Sequence, residues 1–339
     1  MLRLQGYRVR IAILAILAVL ILARCIGRSP ELSIQEYTVL DHKLSITLYG
    51  KRNDAVFYHV NRILTNPEEG TGIAGMGEQI DRLCEMAGTE RVSFNDDLFM
   101  LIEKSVNFAR ISNGMYDPTA APLYRLWALY QSSADQPSRD DVYRLLETVD
   151  YSGIRIFPET KEVFLEQTGM RMDMEEITDG YIIDWCAEMM AEYDFIGLIL
   201  ECGNVTRYVL RRGAEEIDCS TRHEITDRKQ LPVLSLKNCE NRAVAVIYPQ
   251  GRLILDPRNG YPVRNTLWCV VTIGPDALSV DALAFIIAAS GARQGIGLIN
   301  DMPFFDALCV TRNREVFVSK RGRTYLGSHA AGYSVIDME

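Results

Sequence analysis

The chain has 339 residues, 48% hydrophobic and 24% charged, long and apolar enough to bury a sizeable core. Lys and Arg number 36 against 45 Asp and Glu, for a net charge of −9. No basic run occurs beyond the first ten residues, so no nucleic-acid partner is expected.

At the N-terminus Arg3, Arg8 and Arg10 precede an unbroken apolar run, Ile11 to Ala23, which ends at Arg24. Thirteen residues suit the apolar core of a signal sequence better than a full membrane span of about 20. The basic flank keeps the N-terminus inside and places the body of the protein on the outer side of a membrane. Two outcomes stay open: a short anchor that is retained, or a signal that is cleaved. Leu22-Ala23-Arg24-Cys25 has the form of a lipoprotein cleavage site, but Arg24 stands where a small residue is expected, so lipidation of Cys25 also stays open. The expected layout is an anchor over 1–27, a linker over 28–36 and one domain over 37–339.

Within that domain, Tyr37–Tyr49 ends in strict alternation and reads as a strand with one buried face. A helix is expected over Ala55–Leu64, a glycine-rich loop over Asn66–Gly77, and helices again over Glu78–Met86 and Asn95–Ile111. Ser138 to Asp141 has the capping-box form and opens a helix with Val142, Leu145, Leu146 and Val149 on one face. Short strands follow at Gly153–Ile156 and Glu162–Leu165, a helix from Gly180 to Met190, and a buried strand at Ile196–Leu200. Arg242–Tyr248 and Arg252–Leu255 read as a hairpin about Pro249-Gln250-Gly251. Trp268–Ile273 is a further strand, and a helix runs from Asp281 to Ser290, stopped by Gly291. Strands and helices alternate without a steady βαβ rhythm, so the fold class is α+β, mixed sheets with packed helices. Eight cysteines (25, 84, 186, 202, 219, 239, 269 and 309) show no CxxC pair and no metal-ligand spacing. They read as small core residues, with one disulfide left open.

Four stretches carry candidate chemistry. Gly114-Met115-Tyr116-Asp117-Pro118-Thr119 is a rigid corner with one carboxylate; its bland reading is a helix-to-helix bend. Asp173 to Asp184, DMEEITDGYIID, places five carboxylates in twelve residues around a helix start. They can hold a cation or receive ligand hydroxyls, or merely favour the helix dipole. Asp256-Pro257-Arg258-Asn259-Gly260-Tyr261-Pro262 is a turn. Asp281, at the expected start of a helix, reads alone as a cap.

Singly these signals are weak, but in this order they resemble the ApbE family of flavin transferases, which move FMN from FAD onto a threonine or serine of a target protein. The resemblance covers about Leu40 to the C-terminus. It implies an ApbE-like flavin transferase fold behind the N-terminal membrane anchor, with FAD as substrate and Mg²⁺ as cofactor. The acceptor would be an exported flavoprotein, such as a subunit of a membrane redox complex. Carried over residue by residue, the flavin-binding positions are Met115, Tyr116, Asp117, Asp173, Asp179 and Ile254. The Mg²⁺ positions are the Glu176 carbonyl, Asp281 and residue 285.

The sequence also departs from the pattern. Phe285 cannot ligate a metal, and Leu253 replaces a histidine. Leu40-Asp41-His42 stands for Met-Gly-Thr, Cys202-Gly203 for paired glycines, and Gly72–Glu78 lacks the flavin-packing aromatic. His42 and His223 read as exposed side chains rather than replacements, so no catalytic residue is assigned. Three readings remain: an Mg²⁺-dependent transferase tethered to the outer face of the cell membrane, a degenerate member that binds flavin or assists assembly, and, more distantly, an electron-transfer protein that carries FAD without cleaving it.

Overall fold

A computed structural model describes residues 31–50, 54–65, 73, 75–130, 135–211, 224–227 and 229–339. The anchor expected over 1–27, Cys25, Cys219, His223 and most of the loop expected over 66–77 lie outside the described residues. Among those described, no helix is long and apolar enough to cross a membrane.

One nine-stranded sheet organises the chain. Its strands, in sequence and in space, are β1 (Leu32–Val39), β2 (His42–Tyr49), β3 (Gly197–Cys202), β4 (Val205–Leu210), β5 (Ala243–Ile247), β6 (Leu267–Gly274), β7 (Asp306–Thr311), β8 (Glu315–Val318) and β9 (Ser334–Asp337). Every neighbouring pair is antiparallel except the last, which is parallel. The helices are α1 (Asp54–Thr65), α2 (Met76–Glu85), α3 (Asp96–Ile111), α4 (Ala121–Ala128), α5 (Arg139–Leu146), α6 (Glu175–Met190), α7 (Ala277–Ser290) and α8 (Ala292–Asn300). The first six fall between β2 and β3, and the last two between β6 and β7.

Both faces of the central strands are buried. Leu44, Ile46, Leu48, Leu198, Leu200, Ala243 and Ala245 pack on the side of α6 and α7. The alternate residues Ile199, Val244, Val271 and Val310 pack beneath a three-stranded sheet built from 224–226, 232–236 and 326–329. Pleat alternation therefore sends successive apolar side chains into two separate cores. Helix α7 is buried almost all round, as a helix enclosed on every side must be.

The α+β class stands, and several boundaries move. The segment read as linker enters β1 at Leu32, and the single strand expected over 37–49 is a hairpin. Its two-residue turn, Leu40-Asp41, has φ of 49° and 66°, the pair of left-handed residues a tight hairpin turn demands. The helix expected from Gly180 starts at Glu175, and the one expected from Asp281 starts at Ala277 behind an Asp276 cap, whose side chain accepts from the Ser279 amide at 2.9 Å. The hairpin expected over 242–255 does not form. β5 pairs instead with β4 and β6, while Leu255–Asp256 pairs with Tyr261–Pro262. Helix α5 opens as read, with Ser138 Oγ accepting from the Asp141 amide at 3.1 Å. The six described cysteines are buried free thiols.

Candidate functional site

Asp281 lies one turn inside α7, 4% exposed, and so is no cap. Its Oδ2 accepts a hydrogen bond from the Gly180 amide of α6 at 3.0 Å. That approach needs glycine: a Cβ at 180 would lie 2.4 Å from the Ala277 carbonyl oxygen. From α6, Asp184 accepts from the Ala277 and Leu278 amides at 2.9 Å each, closing the N-terminal turn of α7. Burial pushes the Asp281 carboxyl well above the ordinary carboxylate range, and the nearby Asp179 and Glu176 charges add to this. A buried carboxylate among like charges is a group that a cation would relieve.

The 114–119 corner meets the same place. Gly114 turns the chain at φ 76°. The Tyr116 hydroxyl bonds to Ser105 Oγ at 2.8 Å, and its ring stands edge-on to Phe285 at 6.1 Å. The Asp173 amide donates to the Pro118 carbonyl at 2.8 Å, tying corner to acidic segment. Three segments far apart in the sequence thus meet around α7: Gly180 on Asp281, and the corner on Phe285 and on Asp173.

Not every residue carried over is offered to a ligand through its side chain. Met115 and Tyr116 are core side chains, 3% and 1% exposed. Asp117 spends its carboxylate internally: Oδ1 accepts from the Thr119 amide (2.8 Å) and hydroxyl (2.6 Å), and Oδ2 from the Tyr151 amide (3.1 Å). Asp173, Glu176 and Asp117 do share a small cleft with Tyr124. Burial, reinforced by Asp173, pushes Glu176 up to about 7. Trp127 braces the 256–262 turn, donating from Nε1 to the Gly260 carbonyl at 2.7 Å.

Two larger cavities flank this centre. One of about 500 Å³ is lined by His42, Asp81, Arg125, Asp173, Glu175 and Thr178 among others. The other, about 280 Å³, is bounded by Leu253 and Ile254 and carries Arg252, Arg264 and Arg312. Arg252 also faces the acidic centre, since its charge lowers both Glu176 and Asp281. These three arginines were missed in the sequence because they are scattered; Arg252, beside the 253 position, was the signal available. Leu253 itself packs on the apolar cluster of Leu123, Trp127, Val142 and Leu255.

His42 was also misjudged. It is half-buried, and its Nδ1 donates to Asp179 Oδ1 at 2.6 Å. That bond raises the His42 pKa. Burial works against ionisation of Asp179, but His42 holds its carboxyl below the ordinary range. Cys202 donates to the same oxygen at 3.4 Å.

The ApbE family model matches residues 40–309. The chain is 23% identical over 293 residues to the FAD:protein FMN transferase of Klebsiella pneumoniae (strain 342), covering 84% of this chain and 91% of that one. It is 23% identical over 261 residues to the protein of the same name from Treponema pallidum (strain Nichols), covering 70% and 72%. Its fold is similar to that of the flavin transferase ApbE from Vibrio cholerae, with a TM-score of 0.76 at 14% identity over 88% of this chain and all of that one.

Proposed function

The chain belongs to the ApbE family, and on that premise we propose that it is an FAD:protein FMN transferase, acting on an exported flavoprotein from an N-terminal membrane tether. The observation that carries this is the lodging of Asp281 against Gly180 of the acidic segment, with the 114–119 corner tied to that segment through Asp173 and packed through Tyr116 on Phe285 of the same helix. In the reaction an acceptor Ser or Thr oxygen forms a bond to the FMN phosphorus of FAD. The pyrophosphate P–O bond breaks, AMP departs, and the hydroxyl proton passes to solvent or a nearby carboxylate.

The donor set partly fits Mg²⁺. Asp281 offers a hard oxygen where negative charge is crowded, and the Glu176 carbonyl is the second candidate; Phe285 offers a ring in contact with Tyr116 and no donor. When bound, Mg²⁺ neutralises phosphoryl charge. This chain's own contribution is positional. Arg252, with Arg264 and Arg312, complements the anionic phosphates, and the Asp173–Pro118 link fixes the small cleft that Asp117, Asp173 and Glu176 share.

The N-terminal basic and apolar run supports tethering, with the catalytic body outside the cytoplasm. A second reading, a member that binds flavin or assists assembly without transfer, is favoured by Phe285 and by the packing of a partly buried Leu253 on apolar side chains.

The test is to incubate the full chain in detergent with FAD, Mg²⁺ and an exported flavoprotein domain, and to weigh the acceptor. An added FMN mass that disappears in Asp281→Asn is expected. FAD binding with no added mass would overturn the transferase in favour of the second reading.

A further inference from the structure

Three side chains of different chemistry meet beside Asp281. His42 opens β2, Cys202 closes β3, and Asp179 lies on α6. The strand register explains the meeting. Leu44 of β2 stands opposite Cys202 of β3, and side chains two residues apart share a face. His42 and Cys202 therefore sit diagonally across one antiparallel pair, on the face that α6 covers. Beneath the carboxylate the β3–β4 turn has Gly203, at φ 51°, where a Cβ would lie 1.8 Å from Asp179 Oδ2. Only a residue without a side chain admits Asp179 there, and the Asn204 amide supports its charge. Two of the three, His42 and Cys202, are positions where the sequence departs from the ApbE pattern, and both departures introduce a metal-ligand side chain at the same point in space.

We propose that His42, Asp179 and Cys202 form a binding site for a borderline transition metal of the zinc type, with its fourth position open to the 500 Å³ cavity. One nitrogen, one oxygen and one sulfur donor lie within 4.8 Å of one another. An ion about 2.0–2.3 Å from each would hold them roughly 3.3–3.7 Å apart. Cys202 and Asp179, at 3.4 Å, already stand at that separation. The His42–Asp179 contact, at 2.6 Å, opens by about 1 Å as the shared proton gives way to the ion. Coordination releases the Cys202 thiol proton to solvent, and the shared proton leaves Nδ1, to Nε2 from a neutral imidazole or to solvent from a charged one.

The donor set selects the metal. Imidazole with thiolate suits zinc, whereas magnesium takes oxygen donors, so this site differs in chemistry from the one at Asp281. Its access is one-sided: Cys202 is 1% exposed, while His42 and Asp179 keep 23% and 14% of their side chains in contact with solvent. His42 lines the cavity, as does Thr178 beside Asp179. Three protein ligands with one open position is the arrangement of a zinc ion that still takes a water or an anionic oxygen.

The experiment uses the full chain in detergent with metal alone, without FAD or acceptor, so its outcome is independent of whether FMN is transferred. Chelator-stripped protein is loaded with Zn²⁺, dialysed and assayed for metal, and a second portion is loaded with Co²⁺ for absorption spectroscopy. One equivalent of zinc and a near-ultraviolet thiolate-to-cobalt band are expected. Cys202→Ser should abolish the band, and His42→Gln should weaken zinc at least tenfold while far-ultraviolet circular dichroism stays unchanged. Absence of the band, or a band and a zinc affinity that both variants leave intact, overturns the site. Should Cys202→Ser fail to fold, the His42→Gln affinity decides alone.

Discussion

The 114–119 corner and the 173–181 segment lie against each other and treat their polar groups in opposite ways. The corner consumes its own: both Asp117 oxygens, the Tyr116 hydroxyl and the Thr119 hydroxyl are bonded inside the protein. The acidic segment does so only in part. Asp179 is bonded to His42 and Cys202, but among the described residues Asp173 Oδ1 receives the Glu175 amide alone, and Glu176 is held near 7 by burial and a like charge. A self-satisfied corner next to an electrostatically strained segment is the division between scaffold and site. Stability is built where every donor is met, and ligand affinity where charge is left for a ligand to meet.

Mutation can break that division, starting with its strongest claim. Asp117→Ala strands the Thr119 amide and hydroxyl and the Tyr151 amide in a partly buried corner. At 1–3 kcal/mol per stranded group, the expected loss is about 4 kcal/mol in urea unfolding. A loss below about 1 kcal/mol would show that the corner is not the scaffold.

The opposite sign is expected across the interface. Glu176 is raised from 4.5 to about 7 on folding. Its ionised form therefore penalises the folded state above pH 7, the penalty shrinks as pH falls through 7, and it is absent below 4.5. In chelator-treated protein Glu176→Gln should stabilise by about 3 kcal/mol at pH 8 and by nothing at pH 4, read from paired unfolding curves. A destabilised variant at pH 8 would place Glu176 with the scaffold.

The smallest effect belongs to the exposed Arg258–Asp256 pair in the nearby turn. The hydrogen bonds from Arg258 hold Asp256 below the ordinary carboxylate range. Its contribution is present above that range and is lost as pH falls below it. Solvent screens a side chain that is 49% exposed, so Arg258→Ala should cost less than about 1 kcal/mol at pH 7. A larger cost would mean that the arginine packs on the corner at Gly114 rather than merely pairing with Asp256.

The sequence by itself determined what depends on near neighbours. The helix over 96–111 and the Ser138-capped helix over 139–146 were legible because periodicity and caps act within a few residues. The order of the ApbE motifs was legible too, and with it the family. What only the tertiary structure decided depends on partners far away in the chain. The Leu40-Asp41 turn hid because leucine is a poor marker of a left-handed turn. β5 was misassigned because an apolar run does not name its sheet neighbours. Asp281 alone reads as a cap; the Asp276 cap on Ser279 is a local signal, but the burial of Asp281 against Gly180 is set by a partner about a hundred residues away. His42 and Cys202 looked like a stray histidine and a core thiol. A strand register spanning more than 150 residues of sequence brings them to Asp179, and side-chain periodicity does not record pairings of that range.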